Sequence, residues 1–352
     1  MHIKQLGTMT AVPHHIARNA FQMHAGQELG IHVPLEMEQK AVRLVGGFLN
    51  TPQTAGGHIV SGGTEANIIA LWAARERKKI PGGEVVFPIT SHYSILRACR
   101  LLGLTPRPVS AGFDYTVDVE KLKNAITENT VAVVATAGTT SLGVIDDIPR
   151  IAEFALAAGI PLHVDAAYGG FVFPFMKKLG YDLLDFDFSV DGVTSITIDP
   201  HKMGLVPPPT GCIIFRDCTM LDSLRPENVL YYPAASSVIA GTRPASPTMA
   251  TLAVIEYLGE NGYKEIVKTC LELTNYFYDR LKELKTIKAV MKPVCNIIGI
   301  RSEKLDTHSL KDYLETCGWG VFEFSEWIRI IIMPHLTQGD LVKLIMDLKK
   351  ID

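Results

Sequence analysis

The chain alternates between short apolar runs and longer segments with helical periodicity. The apolar runs are of strand length, and most are rich in β-branched residues; they cover residues 59–60, 84–88, 131–135, 161–165, 195–198 and 211–215. Segments with apolar residues three or four positions apart separate most of them, as at residues 68–72, 95–101 and 148–158. Nearly continuous apolar runs are typical of strands buried on both faces of a parallel sheet. The repeated order predicts a doubly wound, mainly parallel α/β domain whose ligand lies at the carboxyl ends of the strands.

The last third of the chain has a different order. Two helical segments, residues 247–258 and 263–284, come first, and a strand, a helix, a strand and a helix follow at residues 296–300, 309–317, 328–333 and 340–348. We interpret this part as a smaller α+β domain. Residues 1–34 lack sustained periodicity. The sequence therefore predicts an N-terminal arm (1–34), a large α/β domain (35–258) and a small C-terminal domain (259–352).

Composition narrows the class of protein. With 352 residues, of which 47% are hydrophobic, the chain can bury a large core. Its net charge of -3 gives no basic face for nucleic acid or an anionic membrane. The six cysteines show neither a C-x-x-C pair nor zinc spacing, so no metal is expected. No leader or bilayer-length apolar run is present, and we expect a cytoplasmic protein that acts on a small polar molecule.

A lysine stands at the end of one predicted strand. Residues 195–198 alternate hydroxyl and apolar side chains, and Pro200 then ends the strand just before His201 and Lys202. A lysine amine that is partly removed from water at a strand end is a candidate nucleophile for imine formation. The alternative is an exposed loop lysine with no chemical task.

A glycine turn connects the predicted strand at residues 59–60 to a helix. Gly62 and Gly63 allow the backbone to approach an anion closely, and the free N–H groups of Gly63 and Thr64 would hold a phosphate at the positive end of the helix. The turn is neither G-x-G-x-x-G nor a Walker loop, which argues against dinucleotides and ATP. The alternative is a tight turn in which Thr64 is a simple N-cap.

Three other strands also end in polar residues. His92 follows the run at 84–88, Thr140 closes the small, hydroxyl-rich segment after 131–135, and Asp165 ends the run at 161–165. An unpaired carboxylate at the end of a buried strand is costly, so we expect Asp165 to have a cationic partner. Helix capping is the alternative for both His92 and Asp165.

These residues form a set in chain order, from Gly63 to Lys202. A pyridoxal phosphate enzyme needs an amine for an imine, a carboxylate beside the pyridine nitrogen, a ring that stacks on the cofactor and an anion site. Residues 61–67, 163–168 and 199–204 resemble the corresponding segments of the pyridoxal-dependent group II decarboxylases, and the similarity runs over nearly the whole chain. Within that family the chain is most similar to the archaeal L-tyrosine/L-aspartate decarboxylases.

The resemblance implies a pyridoxal 5'-phosphate enzyme of fold type I, which is a homodimer with active sites at the subunit interface. Lys202 would carry the cofactor covalently, Asp165 would pair with the pyridine nitrogen, and His92 would stack on the ring. The remaining cofactor contacts would be Ala167 on the opposite ring face, Thr140 near the ring substituents, and Gly63, Thr64, His201 and the partner's Thr242 at the phosphate. The reaction would convert L-tyrosine to tyramine for methanofuran, or L-aspartate to β-alanine for coenzyme A.

Three further residues are candidates for the substrate steps. The segment 225–242 is long and has no core stripe, so we expect it to reach the active site of the partner subunit. Tyr231 and Tyr232 in this segment are candidate proton donors, with interface packing as the alternative. Arg329 opens an apolar strand and would hold a substrate carboxylate; a structural ion pair is its alternative.

Three other functions remain open on the sequence. A carbon–carbon lyase of the sphingosine-phosphate lyase type shares the fold and a similar His-Lys segment, but it would need a basic phosphate pocket that the sequence does not show clearly. Glutamate decarboxylase differs from aspartate decarboxylase only in the substrate side chain. An inactive dimeric scaffold is the non-enzymatic alternative, against which the retained cofactor groups argue.

Overall fold

The computed structural model describes residues 4–6, 13–225 and 237–352. The described residues contain ten α-helices: α1 (His15–Met23), α2 (Leu35–Gly47), α3 (Gly63–Lys78), α4 (Tyr93–Leu102), α5 (Val119–Ala125), α6 (Ile148–Ala157), α7 (Phe173–Lys178), α8 (Ser246–Leu281), α9 (Thr307–Thr316) and α10 (Gln338–Lys349). They also contain thirteen strands: β1 (Lys4–Gln5), β2 (Gly56–Val60), β3 (Glu84–Pro88), β4 (Thr105–Val109), β5 (Thr130–Thr136), β6 (Leu162–Asp165), β7 (Val193–Ile198), β8 (Gly211–Phe215), β9 (Ile287–Ala289), β10 (Ile297–Ser302), β11 (Trp319–Gly320), β12 (Phe322–Glu323) and β13 (Ile328–Ile331).

Seven strands form one large sheet in the order β2-β8-β7-β6-β5-β3-β4. The pairs from β4 through β7 are parallel, whereas β8 is antiparallel to both of its neighbours. Every residue of β3, β5 and β8 is buried, as expected for strands with helices on both faces. The prediction of a large, mainly parallel α/β sheet is confirmed.

The edge strand β4 is the element of this sheet that the sequence pattern missed. Its five residues are largely exposed and include Pro106 and Pro108, which have no N–H for a ladder. Proline is tolerated there because an edge strand pairs on one side only. A strand of this kind has no apolar signal and is defined by its partner β3.

The four adjacent strands β3, β5, β6 and β7 bring the candidate residues together. Their carboxyl ends meet at one edge of the sheet because the strands are parallel, and His92, Thr140, Asp165 and Lys202 follow these four strands in turn. Crevices at this edge are where open α/β sheets bind ligands. The sheet order therefore places residues that lie 110 positions apart in sequence around one site.

The C-terminal part contains a four-stranded antiparallel sheet in the order β12-β13-β10-β9. This sheet agrees with the smaller α+β unit that the sequence predicts. Its own core includes Phe277, Leu310, Ile328 and Leu344. The two helices expected before it are one element, α8, with a break at Gly259, where φ is 53°. The domain limits at 34/35 and 258/259 stay predictions; α8 runs across the second. Within the described residues no helix has both the length and the apolar character to span a membrane.

Candidate active site

A cavity of about 260 Å³ lies at the carboxyl edge of the large sheet. Side chains from α3, α4 and the ends of β5, β6 and β7 surround it. The lining includes eight residues that the sequence singled out: Gly63, Thr64, His92, Thr140, Asp165, Ala167, His201 and Lys202. Their convergence was expected, but the roles assigned to them remain predictions.

The first turn of α3 faces this cavity without a side-chain cap. Gly62 occupies the N-cap position with φ of +151°, a backbone conformation that favours glycine. A Cβ at Gly63 would lie 2.8 Å from Asp199 Oδ2, so only glycine fits there. Thr64 is inside the helix, and the alternative that it acts as the N-cap is wrong. An uncapped helix start beside two glycines is an anion site by both charge and shape.

Asp165 at the end of β6 is held by neutral donors. Its carboxylate is 4% exposed; Oδ2 accepts from Asn67 Nδ2 at 2.8 Å, and Oδ1 accepts from the Ala167 N–H at 3.1 Å. No ion-pair partner for Asp165 exists among the residues that the structure describes, so none of them is the expected cation. The alternative role of Asp165 as a helix N-cap is not observed. Its side chain accepts from the Ala167 N–H, whereas the next helical turn begins only at Gly169.

Asn67 and His163 form a buried network behind Asp165 that sequence reasoning missed. Asn67 Nδ2 donates to Asp165 and also to Ser94 Oγ at 2.8 Å, which fixes the amide oxygen toward His163 Nε2 at 3.0 Å. Because that oxygen can only accept, His163 carries its proton on Nε2, and Nδ1 accepts from Ser195 Oγ at 2.9 Å. The available signal was spacing, since Asn67 lies one helical turn after Gly63 on the same face of α3.

His92 performs the capping role and also faces the cavity. Its Nδ1 lies 2.8 Å from Ser94 Oγ, and the residue is the N-cap of α4. Burial lowers the pKa of His92, while the carboxylate of Asp165 raises it and the amine of Lys202 lowers it. The two interpretations of this histidine are therefore compatible: the cap bond orients the ring, and the ring lines the site.

Lys202 is a cavity residue and not an exposed loop lysine. Its side chain is 21% exposed, and Nζ lies 3.0 Å from Oδ2 of the buried Asp199. His201 is fixed on the same loop by a hydrogen bond from Nδ1 to the carbonyl of Thr210. The loop thus presents one amine and one imidazole toward the start of α3.

Arg329 is not one of the residues that line the cavity, but it contacts one of them, Thr140. It is 8% exposed, and Nη1 donates to the Thr140 carbonyl at 2.7 Å. The guanidinium carbon lies 4.9 Å from the ring centroid of Phe322 and 5.5 Å from that of Phe324. Among the described residues no carboxylate pairs with Arg329 and its Nε has no hydrogen-bond partner, so the alternative of a structural ion pair is not observed there.

The remaining candidates are not part of this cavity. Thr242 is exposed, whereas its neighbour Arg243 is committed within its own chain to the buried Glu38 and donates to the Ile59 carbonyl at 2.9 Å. Tyr231 and Tyr232 lie outside the described residues. A role for these residues in the partner's site stays a prediction.

Comparison with known proteins decides the family. A profile of the pyridoxal-dependent decarboxylase conserved domain matches residues 11–302. This chain belongs to the pyridoxal-dependent decarboxylase family. The decarboxylase is 43% identical to "L-aspartate decarboxylase" of Thermococcus kodakarensis, over 99% of this chain and 91% of that protein. It is 39% identical to "Probable L-tyrosine/L-aspartate decarboxylase" of Methanothermobacter thermautotrophicus, over 98% and 96%.

The fold of the decarboxylase also matches solved structures. The sphingosine-1-phosphate lyase Bpss2021 of Burkholderia pseudomallei superposes with a TM-score of 0.91 over 99% of this chain and 85% of that one. The two sequences are only 24% identical, so this similarity shows the shared fold and nothing about the reaction. The fold assignment is confirmed, and the activity follows from the family.

The cavity fits pyridoxal phosphate, the cofactor of this family. The uncapped start of α3, where a Cβ at Gly63 would collide with Asp199, suits the phosphate. Asp165 keeps an uncompensated carboxylate, which suits a protonated pyridine nitrogen. Lys202 places its amine in the same cavity. The residues that line the cavity of this amino-acid decarboxylase therefore suit its cofactor, pyridoxal phosphate.

Replacing His163 in the decarboxylase should change the pH dependence of its stability. Burial lowers the pKa of His163 to about 4, although the nearby Asp165 raises it. Between pH 6.5 and about 4 the unfolded chain binds a proton there and the folded protein does not, so the unfolding free energy falls as the pH falls. We expect protonation of His163 to lower the unfolding free energy by about 3 kcal/mol between pH 6.5 and about pH 4.

Urea unfolding of wild type and His163→Gln at several pH values measures this contribution. The difference between the two curves should shrink by that amount from pH 7 to pH 4. Burial raises the pKa of Asp146 to about 6, which gives a slope of opposite sign, but this slope is common to both proteins and cancels in the difference. A difference that is independent of pH would contradict a neutral, buried His163.

Proposed function

We propose that this decarboxylase acts on L-aspartate and releases carbon dioxide to form β-alanine. One observation carries the proposal: the buried Arg329 guanidinium, which contacts the cavity residue Thr140, has no carboxylate partner among the described residues, and its Nε is unpaired. A dicarboxylic substrate has a second carboxylate that would remain near such a cation while the first one leaves. The names of the two relatives, which both include aspartate, support the same choice.

L-Tyrosine is the second candidate substrate. The rings of Phe322 and Phe324 flank Arg329 and would pack against an aromatic side chain beside the same guanidinium. The name of the Methanothermobacter relative supports tyrosine beside aspartate. L-Glutamate is one methylene longer than aspartate, and a site of this kind discriminates against one methylene only weakly. A lyase acting on phosphorylated long-chain bases has support from the fold alone.

In this proposal each cavity residue has a specific task. When bound, pyridoxal phosphate supplies an electron-withdrawing ring that stabilises the electron pair left on the substrate as carbon dioxide departs. Lys202 would hold the cofactor between turnovers, and Asp165 would stabilise the protonated pyridine nitrogen. His92 and Ala167 would contact the ring. Asn67 fixes the carboxylate of Asp165 so that no reorganisation is needed at each turnover.

The start of α3 and the loop after β7 would hold the phosphate. Gly63 and Thr64 offer backbone N–H groups at the positive end of the helix, and His201 lies against Gly62 from the other side. Thr140 would contact a ring substituent. These assignments, and Thr242 from a partner subunit, are part of the proposal.

The assembly and setting of the enzyme also remain predictions. We propose a homodimer in which Tyr231, Tyr232 and Thr242 of each subunit serve the other subunit's site. The exposed position of Thr242, next to an Arg243 that is paired within its own chain, supports this arrangement. Sedimentation velocity of the loaded enzyme would detect a monomer, which would contradict it. A cytoplasmic location and a place in methanofuran or coenzyme A synthesis are predictions of the same kind.

A substrate panel tests the proposed function. The purified enzyme with pyridoxal phosphate is incubated separately with L-aspartate, L-tyrosine, L-glutamate and a phosphorylated long-chain base, and the products are identified by mass spectrometry. We expect β-alanine to form with the highest kcat/KM. Tyramine as the main product would move the assignment to tyrosine, and an aldehyde from the phosphorylated base would overturn decarboxylation altogether.

The variant Arg329→Met should separate aspartate from tyrosine. We expect kcat/KM for L-aspartate to fall about a hundredfold, mainly through KM, because a charge-assisted contact to the second carboxylate is lost. L-Tyrosine has no such carboxylate, so its kcat/KM should change much less. Arg301→Met is the matched control, since Arg301 is exposed on the neighbouring strand β10. Equal losses for both substrates would show that Arg329 supports the fold of the site and does not read the substrate.

A further inference from the structure

One buried carboxylate of the cavity has no task in the scheme above. Asp199 is 2% exposed, and its Oδ2 lies 3.0 Å from Lys202 Nζ. Its Oδ1 is buried without a hydrogen-bond partner in the described part of the chain. His201 Nε2 is more distant from Oδ2, at 3.8 Å. Lys202 is therefore the cation that Asp199 meets.

Asp199 lies against the first turn of a helix as well as beside Lys202. The carboxylate lies against Gly63 in the first turn of α3, where a Cβ would come within 2.8 Å of Oδ2 and 3.2 Å of Oδ1. The positive end of a helix stabilises a carboxylate, and a carboxylate within 4 Å stabilises an ammonium. The other titratable side chains that line the cavity are Glu65, His92, Tyr93, Asp165, Tyr168 and His201.

None of these other groups replaces Asp199 as the partner of Lys202. Asp165 already accepts two hydrogen bonds from Asn67 and Ala167, and Glu65 accepts two from Ser61. Among the described residues the single carboxylate within 4 Å of Lys202 Nζ is that of Asp199. Removing this carboxylate should thus leave the amine in a half-buried site without its counter-ion.

We propose that Asp199 is a positioning residue that receives the amine of Lys202 as an ammonium whenever the lysine is not bonded to the cofactor. The inference rests on the role proposed for Lys202. It assigns Asp199 two effects: it fixes where the free amine lies, and it sets how much of the amine is neutral and reactive. The carboxylate lies between the glycine turn and the lysine, so the phosphate site and the lysine share one buried group.

The chemistry balances with this pair in place. The lysine ammonium and the aldehyde carbon of the cofactor condense to a protonated carbon–nitrogen double bond and one water, without change in total charge. When a substrate amine replaces the lysine, the substrate enters as an ammonium and the lysine leaves as one. The leaving lysine therefore regains its charge, and Asp199 offers that charge a partner at 3.0 Å.

The test measures the reactivity of Lys202 in the full-length protein after the cofactor has been removed. Trace acetic anhydride labels the lysines at several pH values, and peptide mass spectrometry gives the rate at each one. We expect Asp199→Asn to raise the labelling rate of Lys202 at pH 7.5 about tenfold, because an amine without an adjacent carboxylate is more often in its neutral, reactive form. Asp199→Glu keeps the charge and should stay near the wild-type rate.

The pH profile separates this role from a structural one. Lysine amines in general lose their charge as the pH approaches and passes ~10.4, so the rate difference between Asp199→Asn and wild type should be much smaller at pH 11 than at pH 7.5. A rate increase of the same size at both pH values would mean that the variant has merely opened the site, and it would overturn the proposal, as would unchanged rates. Asp187→Asn, at a buried carboxylate bound to Asn50 and Ser189, is the matched control.

Two measurements keep the test decisive. If Asp199→Asn does not fold, Asp199→Ser removes the same charge with a smaller side chain and should raise the labelling rate of Lys202 in the same way; an unchanged rate would overturn the pair. Labelling of the cofactor-loaded protein tests separately whether Lys202 is bonded to the cofactor, since a bonded Lys202 should be protected from acetic anhydride. Loss of protection would refute the role of Lys202 and leave the ion pair untouched.

Discussion

Lys202→Ala is expected to reduce the rate of decarboxylation by several orders of magnitude while the protein keeps its fold. The change removes the amine that is placed in the cavity beside Asp199, but it leaves the turn at Gly62 and Gly63 intact. Covalent capture of the cofactor is then impossible, whereas noncovalent binding of its phosphate remains available. Steady-state rates of carbon dioxide release and the visible absorption of the loaded protein measure the two effects.

Two other variants sharpen this test. Lys202→Arg keeps a positive charge beside Asp199 but cannot form an imine, so it should be as inactive as the alanine variant. Lys292→Ala removes an exposed lysine and should behave like wild type. Borohydride reduction should attach the cofactor permanently to wild type and to Lys292→Ala only. Turnover by Lys202→Ala close to the wild-type rate would refute the assignment of this lysine.

Asp165→Asn should have the second largest effect, a loss of at least about a hundredfold in kcat. The substitution is nearly isosteric and can still accept a hydrogen bond from Ala167 or Asn67. It cannot carry the negative charge that keeps the pyridine nitrogen protonated, so the ring withdraws electrons less strongly. KM should change less than kcat, because the contacts with the substrate itself are retained.

The cofactor's absorption spectrum and a nearby control distinguish charge from disruption. Asp165→Asn should shift the visible band of the bound cofactor, since the protonation state of its ring differs. Asp187→Asn again serves as a buried carboxylate outside the site and should leave both spectrum and kcat unchanged. An Asp165→Asn enzyme with wild-type kcat would show that this carboxylate does not act on the ring.

The buried network makes Asp165 a shared component of the site. Asn67 contacts Asp165 and Ser94, and Ser94 contacts His92. The Asn67 amide therefore links the carboxylate expected at the pyridine nitrogen to the histidine expected to stack on the ring. Such networks are stable only when every member is satisfied. Activity and stability should accordingly be coupled here, with His163 providing the acid-sensitive part.

The sequence by itself determined the architecture and eight of the seventeen residues that line the cavity. Strands buried on both faces of a sheet have to be apolar along their whole length, so β3, β5 and β8 are visible as uninterrupted runs. Polar residues that directly follow such runs have to meet at one edge when the strands are parallel. For that reason Asp165 and Lys202 could be identified from local pattern and motif alone.

Only the tertiary structure decided which groups face each other. The partners Asn67 and Asp165 are 98 positions apart, and Arg329 and Thr140 are 189 apart. Contacts at such distances depend on strand order and helix placement, and no local pattern encodes them. The edge strand β4 was missed for a related reason, because strand β3 defines it and apolar residues do not. The motif at 199–204 includes Asp199, but the sequence suggested no role for it, because the glycine turn that packs against this carboxylate comes from another part of the chain.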